Sequence, residues 1–498
     1  MTVLLGVDVG TGGARAVAVS DDGELIADAS AGYDLLTPRP GWTEQRPEDW
    51  WEGTRRVLAE VARATAGQEI AGLGLTGQMH GSVFLDASDA VVRPALLWND
   101  QRTERQCEAI TERVGAERLV QAAGNPALTG FQAPKIVWLA EEEPEHYRQV
   151  AAVLLPKDYV RLLLTGERAT DASDASGTLL LDVRARDWSA EILDALEIPR
   201  EWLPRVHEGT EATGALRDAV ADDLGLPRGL PVAAGGGDNA AAAVGVGVVR
   251  EGRLSSSVGT SGVVFAHRDA FTPDPSGRVH AFCHALPGAF HLMAVALSSG
   301  GSLSWWRERF GAGVDFDALV AEAAAVEPGA EGLLFMPYLT GERTPHLDPA
   351  ARGGFLGLTV RHGRGHLTRA VMEGVAFSMR DGLEIMRALG TPDDDVRSVG
   401  GGARSELWLR LQADVYGRPI RRTAIDEGPA YGAALLGGVA AGVFASAEEA
   451  GTRVRLREEV VEPDPERVRL YDELYGIYAG LYPATRDAMH ALTRLATR

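Results

Sequence analysis

Val7-Asp8-Val9-Gly10-Thr11-Gly12-Gly13-Ala14-Arg15 joins two apolar alternating runs, Val3 to Val9 and Ala14 to Val19, through a glycine-threonine turn. Farther along the chain, Ser257-Val258-Gly259-Thr260-Ser261-Gly262 joins Leu254 to Val258 with Val263 to Ala266 in the same way. Both stretches carry hairpin patterning, which separates them from the strand-to-helix junction of a P-loop. Glycine in such a turn admits positive φ and lets main-chain N–H groups approach an anion, while threonine adds a hydroxyl. One such turn reads as an ordinary tight hairpin. Two matched copies predict a duplicated domain whose halves face each other across one nucleotide, each lending a loop to its phosphates. The halves differ just before the turn, where the first has Asp8 and the second Ser257. A carboxylate beside a phosphate loop makes electrostatic sense when a cation sits between them, and magnesium is the usual one.

A chain of 498 residues is too long for one core, and its length predicts about three domains or two large ones. The 45% hydrophobic and 24% charged content is that of an ordinary soluble globular protein. The net charge of −21 argues against a nucleic-acid partner, so an anionic substrate must be met by local donors. Lysine occurs only at Lys135 and Lys157, which reads as a genome-wide bias in residue usage. Cys107 and Cys283 give neither a disulfide framework nor a metal-ligand spacing, so a reducing cytoplasm is expected. The amino terminus has no basic region ahead of its apolar stretch and is not a signal peptide. The longest apolar runs, Ala240 to Val249 and Ala433 to Ala445, are too short to span a bilayer and predict buried helices; no membrane partner is expected.

The chain is expected to open as an antiparallel meander, with Asp22-Gly23 turning into a third strand from Glu24 to Leu35. Pro47-Glu48-Asp49 starts a helix through Thr65, and the strand Ile70 to Leu75 leads into Gly77-Gln78-Met79-His80-Gly81 at its carboxyl end, where ligands of α/β sheets bind. Trp98-Asn99-Asp100-Gln101-Arg102-Thr103 follows the next apolar run. A strand from Leu230 to Ala234 runs into Gly235-Gly236-Gly237-Asp238-Asn239 and a helix, and the domain boundary is placed at 247/248. The second half repeats the plan and ends in a helical segment from Pro465 to Thr497 with a kink or break expected at Pro483.

Asp238 lies at a glycine-rich strand-to-helix junction, where a helix amino terminus stabilises a carboxylate. A helix cap would use the same residue. Its pairing with Asp8 favours chemistry, because phosphoryl transfer to an alcohol needs one carboxylate for a metal and one for a proton. His80 can hydrogen-bond a polyol hydroxyl and Met79 offers an adaptable apolar wall. Trp98 can cover a sugar's C–H face, with Asn99, Asp100 and Arg102 giving directed polar contacts, although each also reads as a structural residue. The remaining histidines and the run Glu141 to Glu143 are assigned to the surface. Gly400-Gly401-Gly402-Ala403-Arg404-Ser405 suits an adenine or ribose sliding over bare backbone, while its context fails the dinucleotide-binding fingerprint.

These residues resemble the FGGY carbohydrate kinases over nearly the full length, from Val7-Asp8-Val9-Gly10-Thr11 to Gly428-Pro429-Ala430-Tyr431-Gly432-Ala433-Ala434. The family's carboxyl-lobe signature is met by Gly353-x-Phe355-x-Gly357-Leu358, seven residues, His366-Leu367, two residues, then Ala370-Val371-Met372-Glu373. The resemblance implies an α/β fold of duplicated ribonuclease H-like, actin-like ATPase domains, residues 1–247 and 248–498, with ATP and sugar in the cleft between them. It implies that Asp238 is the general base, Asp8 the magnesium and phosphate residue acting through water, and Met79, His80 and Asn239 sugar contacts beside Trp98, Asn99, Asp100 and Arg102. Gly10, Thr11, Gly12, Gly13, Arg15, Gly259, Thr260, Gly300, Gly401 and Gly402 fall where relatives hold nucleotide. Thr11-Gly12-Gly13 departs from relatives that place a serine after the threonine. Gly77-Gln78-Met79-His80-Gly81 points to the members that phosphorylate D-xylulose, in the cytoplasm and with a homodimer as an admissible assembly. Family members acting on D- or L-ribulose, another ketose or polyol, and a non-kinase ATPase or sugar sensor on the same fold stay open at this stage.

Overall fold

The computed structural model describes residues 1–311, 313–425 and 427–496. The glycine-threonine turns are the tips of two equivalent hairpins. β1 (Thr2–Val9) and β2 (Gly13–Ser20) pair antiparallel with Asp8 opposite Arg15, and β3 (Leu25–Gly32) completes the meander on β2. Helix α1 (Pro47–Ala64), started by its proline and two acidic residues, covers this sheet and returns the chain to β4 (Glu69–Gly77), which runs parallel to β1. Helix α2 (Pro156–Thr165) follows, and β5 (Ala212–Ala215) with β6 (Pro231–Ala233) completes the order β5-β6-β4-β1-β2-β3. Helix α3 (Asp238–Gly245) starts directly after Gly236 and Gly237, which pair with the end of β4.

The second sheet repeats this order. β7 (Arg253–Val258) and β8 (Gly262–Arg268) form the second hairpin, flanked by β9 (His280–Cys283) and β10 (Phe290–Ala296). Parallel strands β11 (Asp395–Val399) and β12 (Ile420–Arg422) lie on the other side of β7, giving β9-β10-β8-β7-β11-β12. Helices α4 (Gly300–Phe310), α5 (Phe316–Ala324), α6 (Arg364–Ala388) and α7 (Glu406–Tyr416) surround it.

The second half also sends a helix across. α8 (Pro429–Ala440) comes from the second half but packs on β1 and β4 of the first sheet and against α3. The approach is so close that a Cβ on Gly74 would lie 1.7 Å from the Ala433 carbonyl oxygen, and one on Gly6 1.9 Å from that of Ala430. Small residues in this seam let helix backbone rest on sheet backbone, and the cleft floor is built where α3 and α8 meet.

The carboxyl-terminal helix α9 (Pro465–Ala496) runs through Pro483 as one helix, with no break there. Its buried face of Tyr471, Tyr478, Leu481 and Met489 and its contacts with α6 and α7 hold it along its own lobe. The histidines are a second revision. His267, His280, His284 and His291 sit inside the second lobe, because strand alternation turns them inward to stack with Phe265 and Phe282. Burial pulls the pKa of all four down and keeps them neutral. Among the described residues no helix is long and apolar enough to cross a membrane.

Candidate active site

The two hairpin tips and the start of α3 converge on the cleft. Asp8 sits at the end of β1 beside the first turn, and Asp238 opens α3. Asp8 feels the charge of Asp238. Asp8 is pushed up to about 7 by burial and then by the Asp238 charge, against the pull of Arg15. Burial pushes Asp238 up to about 6, against hydrogen bonds from Asn239, whose main-chain N–H and side-chain amide donate to Asp238 Oδ1 at 2.7 and 2.9 Å. The helix start lowers the cost of this charge but does not cancel its desolvation.

The first turn is closed by Gly10 N–H donating to the Gly13 carbonyl at 3.1 Å. Gly12 faces open space, and Arg15 pairs with Asp28 at 3.0 Å and with Glu427 at 2.5 Å across the halves. The Thr11 hydroxyl donates to Gln78 Oε1 at 3.1 Å and accepts from Trp98 Nε1 at 2.9 Å. In the second half, Gly259, Thr260, Gly300, Gly401 and Gly402 line a single cavity of about 390 Å³ with Leu303, Phe316, Val320 and Trp408. Bare backbone on one side and apolar side chains on the other suit a flat heteroaromatic ring. A neighbouring cavity of about 260 Å³ reaches Asp238 and Asn239 from Ser255, Ser257, Gly400 and Gly428.

On the other side of Asp238, Met79 packs over Gly237: a Cβ there would lie 2.9 Å from Met79 Cγ. His80 takes a positive φ of 70°, its Nδ1 meets the Gly177 carbonyl at 2.6 Å, and burial lowers its pKa to about 3. It is a neutral hydrogen-bonding group, not a cation. Trp98 stays exposed and Asn99 accepts from the Thr43 hydroxyl at 2.7 Å.

Asp100 and Arg102 require a correction. Both side chains are fully buried, joined by Arg102 Nε to Oδ1 at 2.9 Å and Nη2 to Oδ2 at 2.7 Å, and Arg102 stacks 3.7 Å over Trp42. With every donor turned inward they hold the Trp98-Asn99 loop and present nothing to a sugar.

For magnesium, Asp8 Oδ1 is the telling atom, since it is buried and has no hydrogen-bond partner. Among the described residues no group of three or more His, Cys, Asp or Glu is placed to hold a metal. A lone carboxylate fits magnesium that arrives already bound to nucleotide phosphates and keeps its waters.

Residues 3–245 match the model of the amino-terminal domain of the FGGY family of carbohydrate kinases, and residues 254–441 that of its carboxyl-terminal domain. The chain belongs to the FGGY carbohydrate kinases. It is 43% identical to xylulose kinase of Escherichia coli strain K12 over 96% of this chain and 98% of that protein. It is 42% identical to xylulose kinase of Lactococcus lactis over 99% of each. A crystal structure described as a xyloylose kinase from Brucella ovis superposes with a TM-score of 0.92 at 40% identity, covering 98% of this chain and 100% of that one.

Sequence reasoning on this FGGY kinase missed the buried charges behind Asp238. Lys157 Nζ lies 2.6 Å from Asp158, 2.8 Å from Asp171 and 3.5 Å from Asp174, all fully buried. Ser173 links this cluster forward, donating to Asp171 and accepting from the Gly237 N–H at 3.1 Å. Lys135, also buried, donates to the His80 carbonyl at 2.9 Å, and burial lowers its pKa to about 7. The signal was the scarcity of lysine itself, since the two that occur are both in the interior beside the site. Arg343 was missed too: it comes from the second half, and its charge reaches both His80 and His280.

Proposed function

We propose that this FGGY kinase transfers the γ-phosphoryl group of ATP to the terminal C5 hydroxyl of D-xylulose, in the reducing cytoplasm. The observation that carries the reading is the Asp8–Asp238 pair, two carboxylates in one desolvated field between the matched turns. Its full-length relatives at 42 to 43% identity, named xylulose kinases, point to the sugar.

Asp238 takes the proton of the attacking hydroxyl at its carboxylate oxygen, and a base raised to about 6 holds that proton better than an ordinary aspartate while remaining mostly ionised at neutral pH. Asn239 keeps the carboxylate oriented. Met79 and neutral His80 frame the sugar, and Trp98 supplies a flat wall. Main-chain N–H groups of the two turns receive the phosphates, with Asp8 turned to the magnesium that accompanies them. Magnesium, when bound, offsets charge on the transferring group. The apolar cavity around Trp408 takes the adenine.

The test is ADP release in a coupled assay with D-xylulose, D- and L-ribulose, glycerol and gluconate. D-xylulose is expected to give the largest kcat/KM, and Asp238→Asn to lower it by about 10²–10⁴-fold. Preference for another sugar reassigns the substrate, and ADP release that needs no sugar overturns the kinase reading.

A further inference from the structure

A closed chain of hydrogen bonds joins the expected sugar wall to the expected phosphate turn. Trp98 Nε1 donates to Thr11 Oγ1 at 2.9 Å, and Thr11 donates its only hydroxyl hydrogen to Gln78 Oε1 at 3.1 Å. Gln78 Nε2 donates to Gln45 Oε1 at 3.0 Å, which also accepts from Trp50 Nε1 at 2.9 Å. Gln45 Nε2 returns to the Thr11 carbonyl at 2.7 Å. Indole N–H groups only donate, so a tryptophan at each end fixes the direction of every bond between them. Gln45, Gln78 and Trp50 are buried, whereas Trp98 is 40% exposed. Trp98 is therefore the member of the chain that offers a ligand an open aromatic face, while Thr11 is half-buried.

We infer that Trp98 is a positioning residue that couples sugar occupancy to the phosphate turn: a sugar stacked on the indole fixes its N–H on Thr11, and Thr11, held from both sides, sets the turn for the nucleotide. The inference rests on the sugar-kinase reading above. With its hydrogen committed to Gln78, the Thr11 hydroxyl has no proton to offer an anion, which leaves the main-chain N–H groups of the turn to meet phosphate. Their aim is what the hydrogen-bonded chain holds. Without the Trp98 bond the turn keeps Gln78 and Gln45 but loses its tie to the sugar side.

The experiment measures binding of the magnesium complex of a non-hydrolysable ATP analogue to the full-length protein by calorimetry, with and without saturating D-xylulose. One hydrogen bond of ordinary strength predicts that sugar tightens the nucleotide about three- to tenfold in the wild type. Trp98→Phe keeps the aromatic wall and loses the N–H, and the factor should fall to about one while each ligand alone still binds. Thr11→Val should remove the same factor and the double variant nothing more, with melting curves verifying that each variant is folded. A wild-type factor of one or below, a Trp98→Phe protein that retains the coupling, or losses that add in the double variant would overturn the inference. Sugar-dependent ADP release by the wild type, measured in parallel, tests the kinase reading separately: its absence sinks that reading, and its presence without coupling sinks only this one.

Discussion

Asp238→Asn should stabilise the resting protein while disabling it. Folding takes this carboxyl from an ordinary 3.8 to about 6 because burial disfavours its charge. A shift of about two pKa units at ~1.4 kcal/mol each sets an upper bound of about 3 kcal/mol on the cost of keeping it ionised. The side chain partly faces the cleft, so about 1–3 kcal/mol is expected. The replacement amide removes the charge, keeps the shape and still accepts the Asn239 N–H. The sign follows from proton counting. Between pH 3.8 and about 6 the folded wild type holds a proton that the unfolded chain has lost, so its stability falls as pH rises through that window and levels off above it. The advantage of the variant is therefore absent near pH 4, grows to pH 6 and is constant at pH 8. Thermal melting without nucleotide or magnesium should show a gain of about 1–3 °C at pH 8 for a chain of this size. In the same preparation sugar phosphorylation falls by about 10²–10⁴-fold, and the wild-type kcat/KM declines below about pH 6. A variant no more stable than the wild type at pH 8, or an advantage equally large at pH 4, would refute the claim that desolvation sets the base.

Gly74→Ala should give little folded protein, because its Cβ would sit 1.7 Å from the Ala433 carbonyl oxygen, while Gly12→Ala, with open space around it, should melt within about 1 °C of wild type. Gly237→Ala should displace Met79, whose Cγ and Sδ lie 2.9 Å from the added carbon, and raise KM for the sugar more than KM for ATP in steady-state assays. Lys157→Met should cost about 3–5 kcal/mol in chemical denaturation at pH 7, since it removes the cation that Asp158, Asp171 and Asp174 share in the interior.

The duplicated hairpins, the opening meander, the helix behind Asp238 and the glycine loops of the second half were all legible in the chain. Each is a local pattern, an alternation of apolar residues or a glycine where a turn or close approach requires one. Asp100 and Arg102 misled for the same reason. Polar residues beside an exposed tryptophan look like ligand contacts until Trp42 and Glu44, more than fifty positions away, are brought against them. Strand alternation points the histidines at a core that β9 shares with the first half, a fact about packing that their own neighbours in sequence do not contain.

The sequence by itself determined the family, the doubled plan and which two aspartates to suspect, because glycine, proline and strand alternation act within a few residues. Only the tertiary structure decided that Asp8 and Asp238 share one field, that Lys157 is bound to three buried aspartates, that α8 crosses to the opposite sheet and that Trp98 touches Thr11. Those relations join residues far apart in the chain, and their energies depend on distance and on the exclusion of water, which exist only once the chain has folded.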